Sequence, residues 1–272
     1  MTVKMQESTI TSRDNKLFRQ WLSLQTSKGI ERHGLALVSG RKIVPELLAE
    51  RGGAGATLIV REGDPPYLNP LPASGARENM NPLPSGRGQG EGAQNVILAP
   101  DLFEALDEFG TGAPLLVLQV PHIEKRAEDT KPPRGLVLAV AAQDPSNLGA
   151  ILRSALAFEA SEVVLLAESA HPFLPRVTRA SAGANFRIKL AKGPSIKALG
   201  PEWLGLDMAG DALGQIKLPK DCALLLGEEG LGIPQSFAGR RIKIPIGPRA
   251  ESLNVAVAAG IVLAAYRQSH PL

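Results

Sequence analysis

The sequence predicts an α/β chain of two domains, the second and larger built on a mainly parallel sheet. Nearly continuous apolar blocks, Leu136-Val-Leu-Ala-Val140 and Val163-Val-Leu-Leu166, read as strands buried on both faces, as a parallel sheet requires. A helical pattern over Leu148 to Phe158 lies between them. A charged, Pro-containing stretch, Pro121 to Arg134, separates this region from an earlier strand and helix alternation. The chain of 272 residues with 44% hydrophobic content is comfortable for two cores of this kind.

The first domain begins with a helix over Lys16 to Leu24, whose apolar positions Leu17, Phe18, Trp21, Leu22 and Leu24 suit packing on one side. Asp14 or Asn15 is placed to cap it. Gly34-Leu-Ala-Leu-Val38 is a short strand, and Ile43 to Leu48 starts a helix with Pro45 in its first turn. Thr57 to Val60 is the next strand. After it, Asp64 to Gly92 is crowded with Pro and Gly and carries Asn69-Pro-Leu-Pro72 again as Asn81-Pro-Leu-Pro84, so it is expected to be an irregular surface insertion. Val96 to Leu98, Leu102 to Phe109 and Leu115 to Val120 restore strand, helix and strand. The predicted division is therefore a first domain over residues 1–120, a linker over 121–134 and a second domain over 135–272. Within the second domain, Ala223 to Leu226 and Ile242 to Pro245 supply further strands, and Leu253 to Tyr266 forms an Ala-rich closing helix.

Composition excludes several classes. No apolar run is long enough to span a bilayer, and the residues through Arg19 hold no signal-peptide core, so a cytoplasmic protein is expected. Cys222 stands alone in apolar surroundings and reads as a small buried hydrophobe rather than a reactive thiol. His33, His122, His171 and His270 are scattered without ligand spacing, and no metal is expected. A formal charge of +3 does not by itself identify a nucleic-acid binder. Residues 1–64 hold ten basic against seven acidic side chains and 135–272 fourteen against eleven, whereas 65–134 hold six against nine. The outer regions are thus the better phosphate-binding candidates.

The polar residues that carry chemistry sit where predicted strands run into turns. Asp144-Pro-Ser-Asn147 precedes a helix bearing Arg153, Leu225-Leu-Gly-Glu-Glu-Gly-Leu-Gly232 follows a strand, and Ile244-Pro-Ile-Gly247 leads to Glu251-Ser-Leu-Asn-Val255. Such turns expose backbone donors at the site-forming end of an α/β sheet. Gly227, Gly230 and Gly232 permit close ligand approach. The loop has neither the dinucleotide spacing nor a phosphate-loop Lys-Ser/Thr pair, so hydride transfer and nucleotide hydrolysis lose their support. The adjacent Glu228 and Glu229 do not make a glycosidase pair. From composition alone Asp144 and Asn147 also suit turn or capping duty, and Arg153, Arg176 and Arg179 a solvated basic surface.

Taken in order, these segments resemble the three motifs of the TrmH/SpoU branch of the SPOUT superfamily, RNA ribose 2'-O-methyltransferases that use S-adenosylmethionine. The first motif is matched by Asp144 to Arg153, the second by Leu226 to Gly232 and the third by Ile244 to Gly247 with Ser252 to Ala258; Pro172 to Gly183 resembles the segment between them. The resemblance spans Gly135 to about Arg267 and implies a C-terminal trefoil knot, a topology that ordinary connection rules would not predict. A fainter resemblance links Ser12-Arg-Asp-Asn15, Arg32 and Ser39-Gly40-Arg41 to the family's ribosomal-protein-like RNA-binding module. Ser39 stands where relatives are usually acidic, Glu159 where Gly is common and Ile246 where Met is common.

The resemblance implies roles residue by residue. Arg153 contacts the RNA phosphate and orients the ribose 2'-hydroxyl, from the opposite subunit of a homodimer. Asn147 organises the same region, Glu229 positions the second motif, Ser252 contacts the ribose and Asn254 stabilises the bent third motif. The cofactor, S-adenosylmethionine, lies among the backbone of Leu226, Gly227, Gly232, Ile244, Ile246 and Leu253. Arg13, Asn15, Arg32, Arg41, Arg176 and Arg179 are the implied RNA contacts. The expected partner is RNA, with ribosomal RNA as first choice and transfer RNA as the alternative; a noncatalytic RNA-binding protein is the competing class. Because a guanidinium ordinarily stays protonated, orientation through an RNA phosphate or a transient proton path is physically easier for Arg153 than direct deprotonation.

Overall fold

The protein is described here from a computed structural model covering residues 7–53, 55–64, 93–126 and 134–272. It divides into two compact units, Met1–Val120 and Pro121–Leu272. The predicted insertion lies almost wholly in 65–92, outside the described residues.

In chain order the first unit contains β1 (Glu7–Ile10), α1 (Lys16–Ser23), α2 (Ser27–His33), β2 (Leu35–Ser39), α3 (Ile43–Arg51), β3 (Thr57–Arg61), β4 (Gln94–Leu98), α4 (Pro100–Leu106) and β5 (Leu115–Gln119). Asn15 proves to be the cap of α1: its Oδ1 accepts from the backbone N–H of Leu17 at 2.9 Å and of Phe18 at 3.3 Å. The helix buries Phe18 and Trp21. Helix α2 escaped the sequence reading because a seven-residue element burying only Gly29 and Ile30 shows no apolar stripe. Helix α4 starts at Pro100 and stops at Leu106, earlier than the expected Phe109, with Asp107 turning the chain. The sheet order is β1-β4-β3-β5-β2, in which β1, β4 and β3 are parallel and β5 runs antiparallel to both of its neighbours.

The second unit contains β6 (Glu124–Lys125), β7 (Leu136–Val140), α5 (Pro145–Ala157), β8 (Glu162–Leu165), α6 (Pro175–Ala180), β9 (Leu190–Lys192), β10 (Leu204–Ala212), β11 (Cys222–Leu226), β12 (Arg241–Lys243) and α7 (Val255–Ser269). Its sheet runs β12-β10-β11-β7-β8-β9-β6 with every neighbouring pair parallel. Strands β7 and β11 are buried at every position, which is why they read as unbroken apolar blocks. One face carries Val137, Ala139, Val164, Ala223 and Leu225 into a core with Trp203, Ile233 and Phe237.

Part of the expected 121–134 linker is structural. Glu124 and Lys125 pair with Ala191 and Lys192, and the next residue, Arg126, donates through Nε to the Glu162 carboxylate at 2.8 Å. Lys189 reaches the other oxygen of Glu162 at 3.0 Å, so a carboxylate only 2% exposed is matched by two cations. A two-residue strand of charged side chains leaves no apolar pattern to read. Residues 127–133 lie outside the described part. Strands β9 and β10 were also unread, and β12 ends at Lys243 instead of Pro245, since Pro245 has no N–H for a ladder.

Helix α5 packs against both α6 and α7. Gly149 makes the α6 contact possible: a Cβ there would lie 2.5 Å from Ala180 Cβ and 2.7 Å from the Val177 carbonyl oxygen. The C-terminus of α5 closes with two reverse bonds, Ala160 N–H to Ala155 O at 2.8 Å and Glu159 N–H to Leu156 O at 3.0 Å. This places Glu159 in the left-handed region at φ 49°. Arg267 of α7 donates to the carbonyls of Phe158 at 2.8 Å and Glu159 at 3.1 Å, fastening the two helices end to end.

A left-handed C-terminal cap favours glycine, so Glu159→Gly is expected to stabilise the second unit by about 1 kcal/mol, read as a rise in Tm. Burial pushes the Cys222 thiol up to about 12. It should therefore resist thiol reagents at pH 8 in the native protein and react once denaturant unfolds it, a contrast that thiol titration measures directly.

Candidate functional site

From β7 the chain steps outward through β8 to β9, then returns to build β10, β11 and β12 on the other side of β7. The change of direction falls between β7 and β11, and the loops leaving the carboxyl ends of neighbouring strands form a crevice at such a point. The loop after β7 leads into α5, the glycine-rich loop follows β11, and the segment after β12 leads into α7.

Three polar side chains tie these loops together. Asp144 caps α5, accepting from Ser146 N–H at 2.8 Å and Asn147 N–H at 2.9 Å. With that duty taken, the Asn147 side chain is free to face the crevice, where its Nδ2 donates to Glu229 Oε1 at 2.9 Å. The second oxygen of Glu229 accepts from the Asp144 backbone N–H at 3.0 Å. Asn254 Nδ2 donates to Asn147 Oδ1 at 2.9 Å, while its own Oδ1 caps α7 through Ala256 N–H at 2.9 Å and Val257 N–H at 3.3 Å. A parallel tie, Gln143 Nε2 to Glu228 Oε2 at 2.9 Å, joins the same two loops.

The glycine-rich loop doubles back on itself: Glu228 and Gly232 exchange backbone hydrogen bonds at 3.0 and 2.9 Å. Gly227 is obligatory for this closure, because a Cβ would sit 2.5 Å from the Gly232 backbone. Gly230 and Gly232 take positive φ, 83° and 68°.

Beside this knot of bonds lies a cavity of about 490 Å³, lined by β10 residues Leu206 to Met208, by Leu226 to Ile233, by Lys243 and Ile244, by Ser252 to Val255, and by Asn147 and Ala258. The volume falls within the roughly 300–1,000 Å³ of small-molecule sites. Of the residues singled out from sequence, Asn147, Glu229, Ser252, Asn254, Leu226, Gly227, Gly232, Ile244 and Leu253 line it; Ile246 does not. Arg153 lies outside it, exposed further along α5, and its guanidinium has no hydrogen-bond or ion-pair partner among the described residues. The sequence reading missed Leu206, Asp207 and Met208 because β10 was not recognised; the alternation Leu204-Gly-Leu-Asp-Met208 was the available signal.

The remaining predicted contacts are spread over both units. Arg32, Arg41, Arg176 and Arg179 are exposed. Arg13 is exposed and donates to Asp101 at 3.3 Å, and Asn15 spends its side-chain oxygen on the α1 cap. No cluster of His, Cys, Asp and Glu among the described residues could hold a metal ion, and no described helix is long and apolar enough to cross a membrane.

The double duty of Asn254 separates two substitutions. Asn254→Ser keeps an oxygen for the α7 cap but cannot reach Asn147, whereas Asn254→Ala removes both, so Ala should cost about 1 kcal/mol more in a denaturant titration.

Residues 135–264 match the model of the SpoU rRNA Methylase family. The chain is 40% identical over 96% of its length to the Ribosomal RNA small subunit methyltransferase G 2 of Syntrophobacter fumaroxidans, but spans only about half (49%) of that longer protein. It is 29% identical to the 23S rRNA (guanosine(2553)-2'-O)-methyltransferase RlmP of Bacillus subtilis, covering 93% of this chain and 97% of that one. In fold it is similar to the AdoMet-bound rRNA methyltransferase from Sinorhizobium meliloti, with TM-score 0.72 and 23% identity over 98% of this chain and 99% of the other. The ordered site loops on an all-parallel sheet and the family match over that same region agree, and the segment 135–264 belongs to the SpoU (TrmH-like) methyltransferase family.

Proposed function

We propose that the protein transfers a methyl group from S-adenosylmethionine to a ribose 2'-hydroxyl of RNA, with ribosomal RNA the preferred substrate. The observation that carries this reading is the bond chain Glu229–Asn147–Asn254, which draws all three motif loops around one cavity. The likeness to RlmP, whose name specifies a 2'-O product on 23S rRNA, supports the position of transfer. The AdoMet bound to the Sinorhizobium meliloti protein supports the cofactor.

The cavity suits such a cofactor in size, and the backbone of 226–232, bared by its glycines, offers donors and acceptors at close approach. S-adenosylmethionine, when bound, supplies an already activated methyl group. The protein's own task is then alignment. Ser252 lies at the cavity where a ribose hydroxyl would be presented, and Glu229 and Asn254 hold the walls in register. The exposed Arg153 offers a permanent, forked cation suited to an RNA phosphate next to the target ribose. No metal enters this scheme.

In this reading Arg153 serves the cavity of a second copy. Val257 and Ile261, one turn apart on α7 and 52% and 39% exposed, support a homodimer. The motif segment 135–272 is read as a trefoil knot, and the first unit as a ribosomal-protein-like RNA-binding domain using Arg13, Asn15, Arg32 and Arg41, with Arg176 and Arg179 contributing from the second unit. The enzyme so described works in the cytoplasm.

Purified protein with labelled S-adenosylmethionine should methylate ribosomal RNA without added metal, and nucleotide mapping should find the methyl on a ribose 2'-oxygen. Arg153→Ala should lower the rate by about a hundred-fold through lost positioning, with stability unchanged within about 0.5 kcal/mol. Methyl incorporation into a base would sink the reaction proposed. Ribose methylation confined to transfer RNA would overturn the substrate, and cofactor and RNA binding without any transfer would favour a noncatalytic binder.

A further inference from the structure

The charges around the cavity are unevenly matched. Asp207 is paired with Arg241, which also donates to the Pro234 carbonyl at 2.6 Å and lies over the Phe237 ring. Glu228 and Glu229 accept only from neutral groups: the Gln143 amide for the first, the Asn147 amide and Asp144 N–H for the second. Both carboxylates therefore face the cavity without a cation within ion-pair distance among the described residues.

Among the described residues, Lys243 is the single cation in the lining. Ile242 is fully buried, so alternation along β12 puts Lys243 on the opposite side from it, the side on which Arg241 meets Asp207. Lys243 forms no hydrogen bond or ion pair with any described residue and is half-buried. A partly desolvated ammonium without a protein anion is best matched by an anion on the ligand.

The lining thus presents two unneutralised carboxylates and one unneutralised ammonium. That pattern complements a small molecule bearing two cations and one carboxylate, which describes a sulfonium amino acid joined to a nucleoside. Resting on the cofactor reading above, we propose that Lys243 binds the α-carboxylate of the cofactor's amino-acid moiety. It thereby makes the cavity selective for nucleosides that carry that moiety over those that lack it.

Calorimetric titration with two probes tests this. S-adenosylhomocysteine has the amino acid, and 5'-methylthioadenosine has the same nucleoside and sulfur without it. Lys243→Met is expected to weaken S-adenosylhomocysteine binding about ten-fold, the size of one charge-assisted hydrogen bond, and to leave methylthioadenosine unchanged. Lys243→Arg should restore most of the loss. Equal weakening of both probes, or of neither, would overturn the assignment while leaving the cofactor reading standing. Binding of neither probe by the unsubstituted protein would overturn the cofactor reading and this assignment with it.

Discussion

The architecture of the site depends on one carboxylate. Glu229 can only accept hydrogen bonds, so the Asn147 amide must turn its Nδ2 toward Glu229 and its Oδ1 away. That oxygen can then be reached only by a donor, which Asn254 supplies, and Asn254 is left with its own oxygen for the α7 cap. Each orientation forces the next. The start of α5, the glycine-rich loop and the start of α7 are consequently set by one continuous relay spanning over a hundred positions of sequence, from Asn147 to Asn254.

Such a relay holds only on a rigid platform. The all-parallel sheet supplies it, and its helical cover is drawn tight by small residues and backbone capture rather than by bulky packing alone. Gly149 brings α5 against the α6 backbone, and Arg267 uses its guanidinium to bind the exposed carbonyls at the end of α5. Beneath α6, Asn185 donates to Thr178 Oγ1 and the Pro172 carbonyl, both at 2.9 Å, and accepts from Ser181 Oγ at 3.0 Å. A buried polar group satisfied this fully fixes the turn in one conformation.

The electrostatics of the cavity follow from the same arrangement. Neutral amides restrain Glu228 and Glu229 at the cavity wall, while Asp207 is committed to Arg241. A cluster of arginines would have spoiled that balance. Arg153, Arg176 and Arg179 instead lie exposed on the helices α5 and α6, outside the cavity lining.

The sequence by itself determined the α/β class, the parallel character of the second sheet and the identity of the motif loops. Strands buried on both faces must be apolar throughout, and turns that bare their backbone must carry Gly, Asn, Asp or Ser. It also singled out Asn147, Glu229 and Asn254 before any distance was known. Short or charged elements remained illegible: β6 is two charged residues and α2 buries almost nothing. The choice between Asp144 and Asn147 as the α5 cap, the contact of Lys243 and Asp207 with the same cavity, and the placement of Arg153 outside it were decided only by the tertiary structure. Those facts depend on which strands become neighbours across the switch between β7 and β11, a pairing of distant segments that local periodicity does not encode.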